Sequence, residues 1–191
     1  MILLIAGVVV WTGTHWFPAL GASQRARLIE RIGEGPYKGL FTLAIVSAIA
    51  LIVLGWRSTE FIHVYAPPSW GAWVTEGMML IALWLFIGVG SPRPSNAKRL
   101  VRHPQLMGVL TWSVAHLLAN GDGRSVALFA GLGCWAVSMI ALLNRRDGPW
   151  TKPERVPARR DLLPIGLALV AFVVLFFAHP HFAGVPPPRP W

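Results

Sequence analysis

The sequence is poor in charged residues and in cysteine. Charged side chains make up 13% of its 191 residues and hydrophobic ones 54%, too little polar surface to cover a soluble domain of this size. With one cysteine, Cys134, the chain can form neither an internal disulfide nor a cysteine-based zinc site. It also lacks a glycine-rich phosphate loop and a metalloprotease motif. These absences argue against a soluble domain, a disulfide scaffold and a phosphate-loop enzyme.

What the sequence does contain is a series of uncharged stretches, each close to the ~20 residues that cross a ~30 Å hydrocarbon core as a helix. Isolated strands would leave backbone groups unpaired in lipid, so these stretches predict helices. The predicted fold class is all-α: a polytopic membrane helical bundle of about six transmembrane helices, forming a single domain over residues 1–191. Glu76, near the start of the third span, keeps a five-span alternative open. The predicted spans lie near residues 1–20, 39–56, 71–90, 104–120, 125–143 and 162–179.

Loops rich in basic residues alternate along the chain with loops that contain few of them. Of the 17 Lys and Arg residues, 14 follow the first, third and fifth predicted spans. By the positive-inside rule, these three loops face the cytoplasm and both termini face outward. Basic residues follow the first span and none precedes it, which predicts a retained helix rather than a cleaved signal peptide. The net charge of +9 therefore reflects loops beside anionic lipid, and we predict a lipid partner and no nucleic acid.

Few polar side chains lie within the predicted spans, where each is costly to keep and often functional. The main candidates are His15 in the first span and His116 in the fourth. On spacing alone, an intramembrane histidine is more often a packing residue than a ligand. Two histidines on separate spans nevertheless suit a cofactor held between helices, and haem suits histidine ligation without a carboxylate cluster. A first-row metal ion would need a third or fourth ligand, which we do not find.

The fourth predicted span follows Arg102 and His103 and begins at Pro104, a residue type favoured at the first helical position. Arg102 and His103 are therefore predicted at the cytoplasmic interface. Helical spacing aligns a stripe that we expect to face the interior of the bundle: Gln105, Trp112 and His116. His103 points about 140° away from His116, which argues against both binding one metal ion from this helix alone.

Three stretches of the sequence match one pattern. They are Thr14-His15-Trp16, then Gly35-Pro36-Tyr37-Lys38-Gly39-Leu40-Phe41, and Arg102-His103-Pro104-Gln105-Leu106-Met107-Gly108 with its continuation through Ala115-His116-Leu117 to Asn120-Gly121-Asp122. Through them the chain resembles the NnrU family of bacterial membrane proteins, which is similar to plant 15-cis-zeta-carotene isomerase. The resemblance implies a protein of the bacterial inner membrane that is associated with denitrification and nitric oxide metabolism.

The plant isomerase of this resemblance binds haem b through two histidines and isomerises a cis double bond of a carotenoid. By motif, the iron ligands map onto His15 and His116, and the substrate would be a lipophilic molecule reached from the bilayer. Arg102 and His103 would support the cofactor, for instance by contacting a haem propionate. Two classes of function stay open: a haem-dependent isomerase, and a non-enzymatic membrane sensor or assembly factor. The resemblance names no protein partner.

Arg102-His103-Pro104 also resembles the start of the cofactor region in membrane methyltransferases such as isoprenylcysteine carboxyl methyltransferase. Leu106 lies near the place where that family prefers tyrosine, and Glu154 is the only acid between Gly148 and Arg160. The later acidic and tyrosine-rich element of those enzymes is therefore missing. Methyl transfer from S-adenosylmethionine is the less favoured alternative.

Overall fold

The computed structural model describes residues 1–184, and over that range the protein is all-α. The described residues contain no strand, only an isolated bridge between His63 and Asp122. The proline-rich end, whose composition predicts a disordered tail, lies outside the described residues. The helices are α1 (Ile2–Leu20), α2 (Ala22–Ile32), α3 (Glu34–Ser58), α4 (Gly71–Val89), α5 (Pro104–Ala119), α6 (Gly123–Asp147) and α7 (Leu162–Ala183). The predicted fold class, a polytopic helical bundle, is confirmed.

Five of the helices within residues 1–184 are long and apolar enough to cross a membrane: α1, α3, α4, α6 and α7. Each of the six predicted spans coincides with one helix of the structure. The predicted five-span alternative rested on Glu76, yet this residue lies within α4, which has the required length. Among the six helices that coincide with predicted spans, α5 is the shortest, and its 16 residues fall below the ~20 of a typical span. The chain is therefore an integral membrane protein.

The second helix, α2, does not correspond to any predicted span. This helix is not an uncharged stretch, because charged residues interrupt its apolar ones: Arg25, Arg27, Glu30 and Arg31. None of its residues is buried by the protein, and the Arg25 guanidinium lies 5.4 Å above the ring of Tyr37. A basic helix of this kind is typical of a segment that lies along a membrane surface.

The chain forms two compact units. Unit 1 comprises Met1–Val64 and Asp122–Gly148, which hold α1, α2, α3 and α6. Unit 2 comprises Tyr65–Gly121 and the chain from Pro149 onward, which hold α4, α5 and α7. Each unit is described by itself. The prediction of a single domain stays a prediction.

In unit 1, α1 packs against α3 at glycines that leave no room for a side chain. A Cβ atom on Gly7 would lie 2.8 Å from the carbonyl oxygen of Ala48. A Cβ atom on Gly55 would lie 2.2 Å from the backbone nitrogen of Leu4. Lipid is as apolar as the helices, so such close small-residue contacts supply much of the association between helices in a membrane.

In unit 2, α4 and α5 approach each other in the same way. A Cβ atom on Gly71 would lie 2.1 Å from the carbonyl oxygen of Leu118. The buried Thr75 hydroxyl donates a 2.7 Å hydrogen bond to the carbonyl oxygen of Ala115, which links the two helices. Small residues and one interhelical hydrogen bond therefore hold this pair.

The buried face of α5 differs from the predicted stripe. Gly108 and Ala115 are among its buried residues, whereas Gln105 is exposed and Trp112 and His116 are half-buried. Only small residues allow α4 to approach closely. Gly108 and Ala115 lie about 60–80° around the helix from Gln105. The prediction that the stripe faces the interior is therefore wrong for Gln105, and the bulky stripe borders the contact instead.

The predicted topology is tested with reporter fusions along the chain. We expect fusions after Arg31, Lys98 and Lys152 to report a cytoplasmic location, because basic loops are retained on that side. Fusions near Ser58 or Gly123 are expected to report the opposite side. A periplasmic result at Lys152 would contradict the six-span arrangement.

Candidate functional site

His15 lies in α1 and is surrounded by aromatic rings of unit 1. Its Nδ1 atom is 2.8 Å from the carbonyl oxygen of Trp11, one turn earlier. The centroid of its ring is 4.4 Å from that of Trp11, 4.9 Å from that of Trp135 and 5.9 Å from that of Phe41. A carbonyl oxygen only accepts hydrogen bonds, so Nδ1 carries the proton and donates it. When the ring is neutral, its lone pair is then on Nε2.

The two tryptophans beside His15 also contact each other. Their ring centroids are 5.4 Å apart at an interplanar angle of 79°, an edge-to-face arrangement. The indole Nε1 atoms of Trp11 and Trp135 are buried and have no hydrogen-bond partner among residues 1–184. In an edge-to-face pair an N–H group can meet the π electrons of a neighbouring ring, which compensates weakly for the missing acceptor. Both indoles pack against the imidazole of His15 and restrict its orientation.

His116 lies in α5 of unit 2 and repeats the arrangement at His15. Its Nδ1 atom is 2.9 Å from the carbonyl oxygen of Trp112, four residues earlier, and the two ring centroids are 5.1 Å apart. Nδ1 is again the donor, and the lone pair of the neutral ring is on Nε2. His179 of α7, in the same unit, lies close enough to interact electrostatically with His116. Each of the two candidate histidines thus follows a tryptophan at a spacing of four and bonds to its carbonyl group.

The end of α5, one turn beyond His116, is held by Tyr65. The Tyr65 hydroxyl bonds to the carbonyl oxygens of Leu117 and of Asn120, the latter at 2.9 Å. The backbone nitrogen of Tyr65 donates to the carbonyl oxygen of Gly121 at 3.0 Å. A Cβ atom on Gly121 would lie 1.8 Å from the carbonyl oxygen of Tyr65, so only glycine fits. Asn120 and Gly121 therefore serve to fix the helix end near His116.

Asp122 directly precedes α6 in unit 1 and acts as its N-cap. Its carboxylate accepts hydrogen bonds from the Ser125 backbone nitrogen at 3.2 Å and from the Ser125 hydroxyl at 2.5 Å. The Arg124 Nε atom lies 3.3 Å from the same carboxylate, and its guanidinium lies 4.7 Å above the ring of Trp56. Asp122 belongs to a motif of the sequence, but its role as an N-cap is not among the roles predicted for that motif. The signal was present as an aspartate three residues before a serine at the start of an apolar run.

Arg102 and His103 lie directly before α5, which begins at Pro104 as the sequence predicts. Both are half-buried, and the carbonyl oxygen of His103 accepts a 3.0 Å hydrogen bond from the Met107 nitrogen. They precede His116 by about 20 Å along the helix axis, at the opposite end of α5. Their contact with a cofactor stays a prediction.

The chain is similar to one known protein family. A family model described as NnrU protein matches residues 3–187, a range that extends from α1 to beyond α7. No curated protein and no solved structure matches the chain. Because the family model covers almost the whole sequence, the chain belongs to the NnrU family.

Proposed function

We propose that this NnrU-family membrane protein binds haem b, with the imidazoles of His15 and His116 as its iron ligands. The observation that carries the proposal is that the two rings make the same kind of hydrogen bond. Each Nδ1–H group donates to the carbonyl oxygen of the tryptophan four residues earlier. Metal-ligating histidines commonly use their second nitrogen in this way, which fixes the tautomer and increases the basicity of Nε2.

The donor set fits haem better than a free metal ion. Residues 1–184 contain no group of three or more His, Cys, Asp or Glu side chains that could hold a metal ion. Haem iron takes only its axial ligands from the protein, and isolated histidines can provide these. The rings of Trp11, Trp135 and Phe41 around His15 also provide an apolar surface of the kind that a porphyrin contacts.

Bound haem would supply a redox-active iron. The histidines would hold that iron, and the neighbouring indoles would orient the imidazoles and exclude water. Ligation by two histidines suits electron transfer or sensing, and it suits catalysis when one ligand can leave the iron. Arg102 and His103, at the other end of α5, are proposed to order the start of that helix or to contact a cofactor carboxylate.

The outer surface of the protein is suited to contact with the hydrocarbon of the bilayer. Large apolar side chains on α7 are exposed, among them Val170 at 64%, Val174 at 58% and Phe177 at 73%. In a membrane such surfaces contact acyl chains, so a hydrophobic molecule would reach the protein through the bilayer. We propose isomerisation of a lipophilic polyene in the bacterial inner membrane as the activity, which the resemblance of the His15 and His116 motifs to plant 15-cis-zeta-carotene isomerase implies. A role as a sensor or assembly factor in nitric oxide metabolism is the second candidate, which ligation of the iron by two histidines would favour.

Replacing either histidine tests the haem proposal. His15→Ala and His116→Ala are each expected to lose the low-spin haem absorbance of the purified protein, because each removes one axial nitrogen. The matched control is His181→Ala, an exposed residue of α7 that is expected to keep the spectrum. His179 is not a suitable control, since it interacts with His116. Unchanged spectra in both variants, with helical content retained, would contradict the proposal.

A second measurement separates the two roles. Purified protein in detergent is incubated with a cis-carotenoid, and the isomers are separated by chromatography. Conversion that requires the histidines would support the isomerase. Binding of nitric oxide to the haem without any conversion would instead support the sensor.

A further inference from the structure

The connection before α5 and the connection before α7, both in unit 2, are joined by one polar network. Asn96 donates from its backbone nitrogen to Asp161 Oδ1 at 2.6 Å and from Nδ2 to Asp161 Oδ2 at 2.7 Å. The Asn96 side chain also exchanges hydrogen bonds with the backbone of Val156, at 2.8 Å and 3.0 Å. Arg99 adds a bond to the carbonyl oxygen of Pro153. The two connections are therefore fixed against each other.

This network concentrates positive charge. The two connections contain two acids, Glu154 and Asp161, and the carboxylate of Asp161 is engaged by Asn96. Three of the arginines, Arg155, Arg159 and Arg160, are exposed and form no ion pair within residues 1–184. The basic residues of the two connections are Arg93, Lys98, Arg99, Arg102, Lys152, Arg155, Arg159 and Arg160.

Exposed leucines accompany these cations. Leu100 is 72% exposed and follows Arg99, and Leu162 is 68% exposed at the start of α7. Cations beside exposed apolar side chains, at the ends of membrane helices, match an interface of headgroups and acyl chains. A nucleic acid or a soluble phosphate compound would leave the leucines in water.

We propose that the two joined connections form a specific binding site for the net negative headgroup of an anionic phospholipid. We name this site the basic clamp and define it as residues 93–102 and 152–161. Any basic loop is attracted to an anionic leaflet. The basic clamp differs because an acid, Asp161, accepts hydrogen bonds that help to hold its two connections together.

The Asp161→Asn variant distinguishes specific binding by the clamp from general electrostatic attraction of anionic lipid. This change removes a negative charge, so general electrostatics predicts tighter binding of an anionic lipid. In the clamp, however, the new amide NH2 group would face a donor of Asn96. The two connections would then be joined only by the bonds of Asn96 to Val156 and of Arg99 to Pro153, so the cations would be held less closely together. We expect about fivefold weaker binding of a fluorescent phosphatidylglycerol to the full chain in neutral detergent, the equivalent of one lost basic contact. Equal or tighter binding would overturn the proposal.

Two matched triple variants test the location of the site. Arg155→Gln/Arg159→Gln/Arg160→Gln is expected to weaken phosphatidylglycerol binding about 100-fold, at about fivefold for each cation. The control removes three equally exposed arginines from α2 of unit 1: Arg25→Gln/Arg27→Gln/Arg31→Gln. It is expected to change binding little, and equal losses in the two variants would overturn the proposal.

Two competitors identify the ligand. Phosphatidylcholine and millimolar inorganic phosphate should both fail to displace the phosphatidylglycerol, because the clamp requires a net negative headgroup attached to acyl chains. Displacement by phosphate alone would overturn the lipid assignment. Circular dichroism of every variant confirms that the helices are retained. Haem absorbance is not part of this test, so its outcome is independent of the proposed function.

Discussion

Gly55→Ala is expected to destabilise the protein by about 3 kcal/mol, the upper part of the usual range for overpacking. The added Cβ atom would lie 2.2 Å from the nitrogen and 2.6 Å from the Cα atom of Leu4. Both are backbone atoms of α1, so no side-chain rotation can relieve the overlap. The helices α1 and α3 would have to move apart and lose the close contact that holds them in lipid.

The matched control for this prediction is Gly39→Ala in the same helix. No atom lies within 4 Å of a Cβ atom at Gly39, and alanine favours a helix by up to about 1 kcal/mol over glycine. This variant is therefore expected to be as stable as the parent or slightly more stable. Thermal unfolding in detergent, followed by circular dichroism, measures both. Equal melting temperatures for the two variants would contradict the packing of α1 on α3.

The membrane helices could be predicted because lipid imposes a one-dimensional signal, the absence of charge, on every span. That signal locates the centre of a helix better than its ends. The predicted span near 39–56 is part of α3, which begins at Glu34, where a 2.8 Å ion pair between Glu34 and Lys38 supports the first turn. Charged residues at an interface therefore extend a helix beyond its uncharged part.

Local widening of the helices could not be predicted. Residues 84–89 of α4 and 126–130 of α6 form π-helical turns rather than α-helical ones. The first of these packs against α7, where a Cβ atom on Gly88 would lie 2.5 Å from the carbonyl oxygen of Pro164. Such turns depend on contacts between segments distant in sequence, which hydropathy does not record.

The candidate site was predictable in part. Histidine is unusual within a span, so His15 and His116 stand out in the sequence. The repeated spacing of four from Trp11 and from Trp112 is also visible there and could have indicated the shared hydrogen bond. The contact of Trp135 with His15 could not, since it joins residues 120 positions apart in different helices. The exposed position of Gln105 was not predicted, because glycine contacts rather than the bulky stripe set the rotation of α5.

The motif residues around these histidines have two kinds of role. Gly108 and Gly121 belong to the stretch that carries the family resemblance, and both are required by close packing within unit 2. A Cβ atom on Gly108 would lie 2.9 Å from the carbonyl oxygen of Ala82. A motif match therefore identifies packing residues as well as candidate ligands, and only the structure separates them.

Asp122→Ala is expected to destabilise the protein by about 3 kcal/mol. The variant removes the N-cap of α6, since the carboxylate accepts hydrogen bonds from the nitrogen and the hydroxyl of Ser125. It also leaves Arg124 without the carboxylate that lies 3.3 Å from its Nε atom. The two side chains are only 6% and 21% exposed, so water cannot replace the lost partner fully. Thermal unfolding in detergent measures the loss.

Two further variants distinguish this buried pair from an ordinary surface charge. Glu34→Ala breaks an ion pair whose side chains are 65% and 69% exposed, and it is expected to cost less than about 0.5 kcal/mol and to lose its effect at high salt. The loss in Asp122→Ala should persist at high salt, because its partner is shielded from ions. Adding Arg124→Met to Asp122→Ala should recover part of the stability, since the isolated charge is then removed as well. If the double variant is as unstable as Asp122→Ala, the loss is due to the helix cap alone, and the pairing of Arg124 with Asp122 contributes nothing.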